Sequence, residues 1–151
     1  MKTNNQIKQI INPEKKITCR KIISALTDIA RDGFGTQITE EDVENHVLKT
    51  DLLYLAYDET HSVLKAFSSY DTLRIGDANI LYLNGIVVRR AFQKEGIFSD
   101  INKRALEIDT FDYIAMRTQN PVVYAATQKL VENIYPNTLP MPENIMHIGS
   151  M

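Results

Sequence analysis

Residues 78–88 read Ala-Asn-Ile-Leu-Tyr-Leu-Asn-Gly-Ile-Val-Val, and no other stretch of the chain restricts its fold as much. The β-branched and aromatic content makes this a strand. Its near-continuous apolarity calls for burial on both faces. Gly85 inside the run points to a bulge or to a close backbone approach.

The segments around it fall into place by period. Ile7 to Ile11 is a short apolar stretch suited to an edge strand, and Asn12-Pro13 breaks it. From about Ile17, apolar residues at 22, 23, 26, 29 and 30 recur at helical spacing, and Gly33 is the expected stop. Thr39 can cap a second short helix whose opening Glu40-Glu41-Asp42 complements the helix dipole, with Val43 and Val47 inward. Leu52 to Tyr57 and Val63 to Tyr70 read as strands joined by a hairpin loop at Asp58 to His61. Asp71 to Asp77 reads as a second turn. After the long strand, Ile97, Ile101, Ala105 and Ile108 lie on one helix face, and Tyr113 to Arg117 is another strand. Asn120-Pro121 then opens a last helix, Asn as cap and Pro in the first helical position. The predicted order is β-α-α-β-β-β-α-β-α, a mixed, mostly antiparallel sheet flanked by helices (α/β or α+β). Residues 1–135 form the expected domain. Residues 136–151 form an irregular tail, with prolines at 136, 140 and 142.

Composition removes several classes of function. A mass of 17.2 kDa suits one domain. Seventeen Lys and Arg against nineteen Asp and Glu carry no basic footprint for nucleic acid. No apolar run approaches a membrane span, and the Met1-Lys2-Thr3 start lacks the apolar core of a signal peptide. Cys19 is the only cysteine and the histidines number three, so neither a disulfide nor a cysteine-rich zinc site is expected, and no metal is assigned. A reducing, cytoplasmic setting fits.

The chemistry concentrates where the long strand meets Arg89-Arg90-Ala91-Phe92-Gln93-Lys94-Glu95-Gly96 and the next helix. A helix N-terminus carries unpaired N–H groups and about half a positive charge. A loop curling before it can aim those groups at a phosphate, and Gly96 allows close approach. A plain turn fits the same residues. Arg89 and Arg90 are either a solvated pair or neighbours of the phosphates.

Ile86-Val87-Val88 through Gln93-Lys94-Glu95-Gly96-Ile97-Phe98-Ser99 resembles motif A of the GCN5-related N-acetyltransferases: a hydrophobic strand, then Gln/Arg-x-x-Gly-x-Gly/Ala opening a helix. Gln93 and Gly96 match, whereas Phe98 stands where Gly or Ala is usual. Asn120-Pro121 resembles the start of that family's motif B, and the order of elements agrees over about residues 5–135. The resemblance implies transfer of an acetyl group from acetyl-CoA to a primary amine of a small molecule or peptide. It puts the cofactor on Ile86, Val87, Val88, Gln93, Lys94, Glu95, Gly96, Ile97, Phe98 and Asn120. Pantetheine would lie along the strand, in a slot where Tyr113 to Thr118 splays away from it. The pyrophosphate would sit on the loop.

An N–H at Val87 or Val88 would stabilise the oxyanion. Tyr124 is the candidate acid for the departing thiolate, since Thr127 holds the position where many family members have tyrosine. No base is assigned: Asn84 stands where a glutamate occurs in some members, and Tyr82, Asn84 or water would orient the amine. Phe34 is a candidate acceptor contact. His46, His61, His147 and Cys19 have bland readings as surface or tail residues, and Tyr54, Tyr57 and Tyr70 as packing aromatics. A non-catalytic acyl-CoA-binding or protein-interaction module on the same fold is the alternative. A homodimer is left open, because an uncompleted sheet edge at the C-terminus would favour one.

Overall fold

The computed structural model describes residues 4–117, 127 and 129–131. The long apolar stretch is strand β4 (Ala78–Val88), with the expected limits. Strands β1 (Gln6–Ile11), β2 (Leu52–Tyr57), β3 (Leu64–Ile75), β4 and β5 (Tyr113–Met116) lie side by side in chain order in one five-stranded sheet. The first four pair antiparallel and β5 is parallel to β4. Such a parallel step needs a crossover, and helix α4 (Ile97–Leu106) supplies it.

Among the described residues, α2 (Arg20–Phe34) and α3 (Glu40–His46) on one face and α4 on the other give the sheet two apolar interiors. Residues Ile23, Leu26, Ile29 and Ala30 of α2 and Val43 of α3 pack with Leu53, Leu55, Phe67 and Val87. On the opposite face Ile97, Ile101 and Ala105 of α4 pack with Tyr54, Ala66, Tyr70, Leu81 and Leu83. Ile80 and Leu81 are successive and both buried, as burial on both faces requires.

Four local expectations are corrected. Asn12 does end β1, in a left-handed conformation, but a one-turn helix α1 (Pro13–Lys16) follows before α2 begins at Arg20. The stop of α2 is Gly35, at φ 112, not Gly33. A Cβ at Gly33 would stand 2.6 Å from Val87 Cγ1, so Gly33 serves the close approach of helix and sheet. Strand β3 runs on to Ile75 instead of ending at Tyr70, so only Gly76 and Asp77 remain of the expected turn. Asp71 to Ile75 find their partners on β4, from Tyr82 to Ala78, and the two strands form a long ribbon. Ile108 packs on the α4 face from beyond the end of the helix. The helix expected from Asn120 and the tail from residue 136 lie outside the described residues.

Candidate active site

The antiparallel register of β3 and β4 skips one residue. Ser69 faces Gly85 and Tyr70 faces Leu83, which leaves Asn84 bulged beside the glycine that signalled it. On the other side, the β5 ladder runs from Ile80↔Tyr113 to Leu83↔Met116 and stops there. The bulge and the end of that ladder coincide. From Gly85 to Val88, β4 keeps β3 on one side and has no strand on the other among the described residues.

Which groups face that opening follows from alternation. Arg89 N–H donates to Lys65 O on β3 at 2.9 Å. Backbone groups along an antiparallel strand point to alternate sides, so Val87 N–H also turns to β3. Ile86 and Val88 N–H therefore turn to the open edge. The N–H groups open to this edge are those of Ile86 and Val88, so the expectation of a donor at Val87 is corrected on that ground. The Val87 side chain is buried beneath α2, while Ile86 and Val88 lie partly buried on the α4 side.

Beyond β4 the chain makes one 3-10 turn, Arg90–Phe92, and reaches Gly96 at φ 75, the N-cap of α4. Gly96 has no side chain with which to cap this end. The first-turn N–H groups therefore keep the anion-binding character of a helix N-terminus. Among the described residues, a Cβ built on Gly96 would meet no atom within 4 Å, so they leave the space in front of the turn open.

The loop is braced from three directions. Gln93 Nε2 donates to Val88 O at 3.3 Å. Arg90 N–H donates to Asp32 Oδ2 of α2 at 2.8 Å. Glu95 turns inward to Lys65, with 2.7 Å between Oε1 and Nζ. Arg89 is a strut, its Nε donating to Leu64 O at 3.0 Å, while Arg90 and Lys94 have exposed side chains. Ile97 is core, and Phe98 packs partly buried on the same face. Ile86 to Val88 and Gln93 to Phe98 thus converge on one corner; Glu95 and Ile97 turn their side chains inward, whereas the Gln93 side chain is exposed and folds back onto Val88 O. Asn120 and Tyr124 lie outside the described residues.

At the bulge, exposed Asn84 donates from Nδ2 to Asp71 Oδ2 at 2.6 Å, and Asp51 N–H reaches Asp71 Oδ1 at 3.1 Å. This carboxylate was missed in the sequence because residues 71–77 read as a turn. The alternation Thr72-Leu73-Arg74-Ile75 was the signal that the strand continues. Phe34 is 57% exposed at the end of α2, next to the glycine that abuts Val87. Thr127 is buried, its hydroxyl 3.6 Å from Met116 Sδ at the end of β5. Among the described residues no group of His, Cys, Asp and Glu is placed to hold a metal ion, and no helix is long and apolar enough to cross a membrane.

No protein-family model and no curated protein matches the chain. Solved structures do. An integron cassette protein from the mobile metagenome of V. cholerae matches at 13% identity, covering 97% of this chain and 98% of its own, with a TM-score of 0.66. The aminoglycoside N-acetyltransferase AAC(6')-Iy, solved with a bisubstrate analogue of CoA and acetylneamine, matches at 12% identity over 93% of this chain and 99% of its own, with a TM-score of 0.64. A GCN5-related glucosamine N-acetyltransferase region of a fungal multi-domain β-N-acetylglucosaminidase matches at 12% identity over 97% of this chain and 20% of that one, with a TM-score of 0.68. The mixed five-stranded sheet, opened at the β4 bulge and flanked by helices on both faces, is the fold of the GCN5-related N-acetyltransferases.

Proposed function

We propose that this protein is an acetyl-CoA-dependent N-acetyltransferase acting on a primary amine of a small molecule or peptide. The observation that carries the reading is the β4 edge left open among the described residues, followed by a helix N-terminus whose N-cap is the left-handed Gly96. Acetyl-CoA has a chain of amides and an anionic end, and this corner offers a partner for each. Ile86 and Val88 present backbone groups to the pantetheine amides. The turn at Gly96 and the first N–H groups of α4 take the pyrophosphate without needing a cationic side chain. Acetyl-CoA, when bound, supplies the activated thioester. An N–H at Ile86 or Val88 then stabilises the carbonyl oxygen as charge develops on it.

The amine must lose a proton, and Asp71 beside the bulge is the carboxylate proposed to take it, directly or through water. Tyr124 remains the proposed acid for the thiolate, and Asn120 a proposed cofactor contact. Residues 1–135 are proposed as the transferase domain, working in the cytoplasm. The structural neighbours that act on aminoglycosides and glucosamine are consistent with a small amine acceptor.

A second reading, an acyl-CoA-binding module without turnover, is favoured by Asn84, an amide at a bulge where some of the fold's enzymes place a carboxylate. Thermal unfolding with acetyl-CoA, against NAD and ATP as controls, tests binding. At about 100 times its dissociation constant the ligand adds roughly 2.7 kcal/mol. G96D, which puts a negative side chain on the left-handed turn, is expected to abolish the shift. Coenzyme A release with a panel of primary amines tests turnover. A shift without release supports the binding module, and no shift in the folded protein defeats both readings.

A further inference from the structure

Lys65 is almost fully buried, with its side chain 6% exposed. Lysine is rarely buried so deeply unless it is paired. Its ammonium touches Glu95 Oε1 at 2.7 Å, Asn5 Oδ1 at 3.1 Å and the Phe92 ring, whose centroid is 4.9 Å away. Two of those partners belong to the loop before Gly96. The backbone directs the side chain there. The β2–β3 register passes from Ala56↔Ala66 to Tyr57↔Leu64, so Lys65 has no opposite residue on β2. A bulge of this kind re-aims a side chain. Here Leu64 packs with the α2 face and Ala66 with the α4 face, where Phe92 also lies.

Glu95 immediately precedes the turn to which the proposed function assigns the pyrophosphate. A free carboxylate there would repel that anion. The pair keeps Glu95 only 22% exposed and beneath the loop. Its backbone hydrogen bond, Glu95 N–H to Phe92 O at 3.3 Å, holds the turn in shape above it. Buried ion pairs are often no more stabilising than apolar replacements, so stability alone is a weak reason for this one.

We infer that Lys65 is a positioning residue for the phosphate half of the cofactor site: it draws the Glu95 carboxylate under the loop and neutralises it, leaving the loop amides outward for an anion. The inference rests on the acetyl-CoA reading above.

The test is an NMR titration with two probes. Acetyl-CoA carries the phosphates; S-acetylpantetheine has the same thioester and amides without them. K65M is expected to weaken acetyl-CoA at least tenfold and to leave S-acetylpantetheine within twofold. K65M/E95Q, which removes the stranded charge, is expected to recover most of the loss. E95D keeps the charge but shortens its reach. It is expected to show the same selective loss, and it carries the test should K65M not fold. Equal weakening of both probes means a general packing role and overturns the inference, as does no weakening of either. Failure of the wild-type protein to bind acetyl-CoA defeats the underlying reading instead, and the inference with it.

Discussion

Tyr70 and Asn102 are both 0% exposed between the sheet and α4, and the Tyr70 hydroxyl donates to Asn102 Oδ1. Burial holds the Tyr70 phenol well above the ordinary tyrosine value, so it stays neutral and a donor. Tyr54 meets its ring edge-on, with centroids 5.7 Å apart. Asn102 Nδ2, by contrast, is buried without a partner among the described residues. Losing one member of such a pair strands the other, whereas replacing both by apolar groups is close to neutral. Y70F is therefore expected to cost about 1–3 kcal/mol. Y70F/N102L, which leaves neither polar group of the pair to satisfy, is expected to recover most of that in urea denaturation. A double variant no more stable than Y70F would locate the cost in ring packing instead.

At the scale of elements, α3 shows how local chemistry makes itself legible. Thr39 Oγ1 accepts from Asp42 N–H at 3.1 Å and Asp42 Oδ2 accepts from Thr39 N–H at 2.9 Å, closing a capping box. T39A should cost about 1 kcal/mol. The Thr39 backbone hydrogen bond holds the Asp42 carboxyl below its ordinary value. Its stabilising effect is then complete above the unfolded-chain value of about 3.9 and is lost as pH falls through the lower folded value. D42N keeps an oxygen acceptor but not the charge. Its deficit against wild type, followed by thermal unfolding from neutral pH to about pH 2.5, should be constant near neutrality and close below about pH 4. A gap that widens on acidification would assign the effect to something other than this carboxylate.

The same scale shows where sequence reading stops. Every residue of the capping box lies within four positions, so its pattern is complete in the chain. The end of α2 is not, because Gly33 answers to Val87, a residue from another element. The reach of β3 is not either, because Asp71 to Ile75 become strand through partners on β4.

For the whole molecule, the order of the five strands with α2, α3 and α4, and the corner at Gly96, could be read from the chain, since apolar period and one glycine-marked turn specify them. Which amides remain open could not, because that depends on the register of β4 against two neighbours at once. Lys65 was invisible for the same reason: a lysine at the start of a strand reads as surface until a bulge turns it under the loop. The register in turn makes a claim about the whole assembly that amide hydrogen exchange can test. Amides paired within the sheet exchange slowly and those at an open edge exchange faster. In the free protein Val87 and Arg89, turned to β3, should be protected, and Ile86 and Val88 should not. Acetyl-CoA laid along the edge should slow Ile86, Val88 and the first turn of α4, and leave Val87 unchanged. Protection of all four residues before ligand is added would mean that the β4 edge is already covered. A thermal shift with acetyl-CoA that leaves Ile86 and Val88 exchanging freely would place the ligand elsewhere on the protein and remove the pantetheine slot from the site.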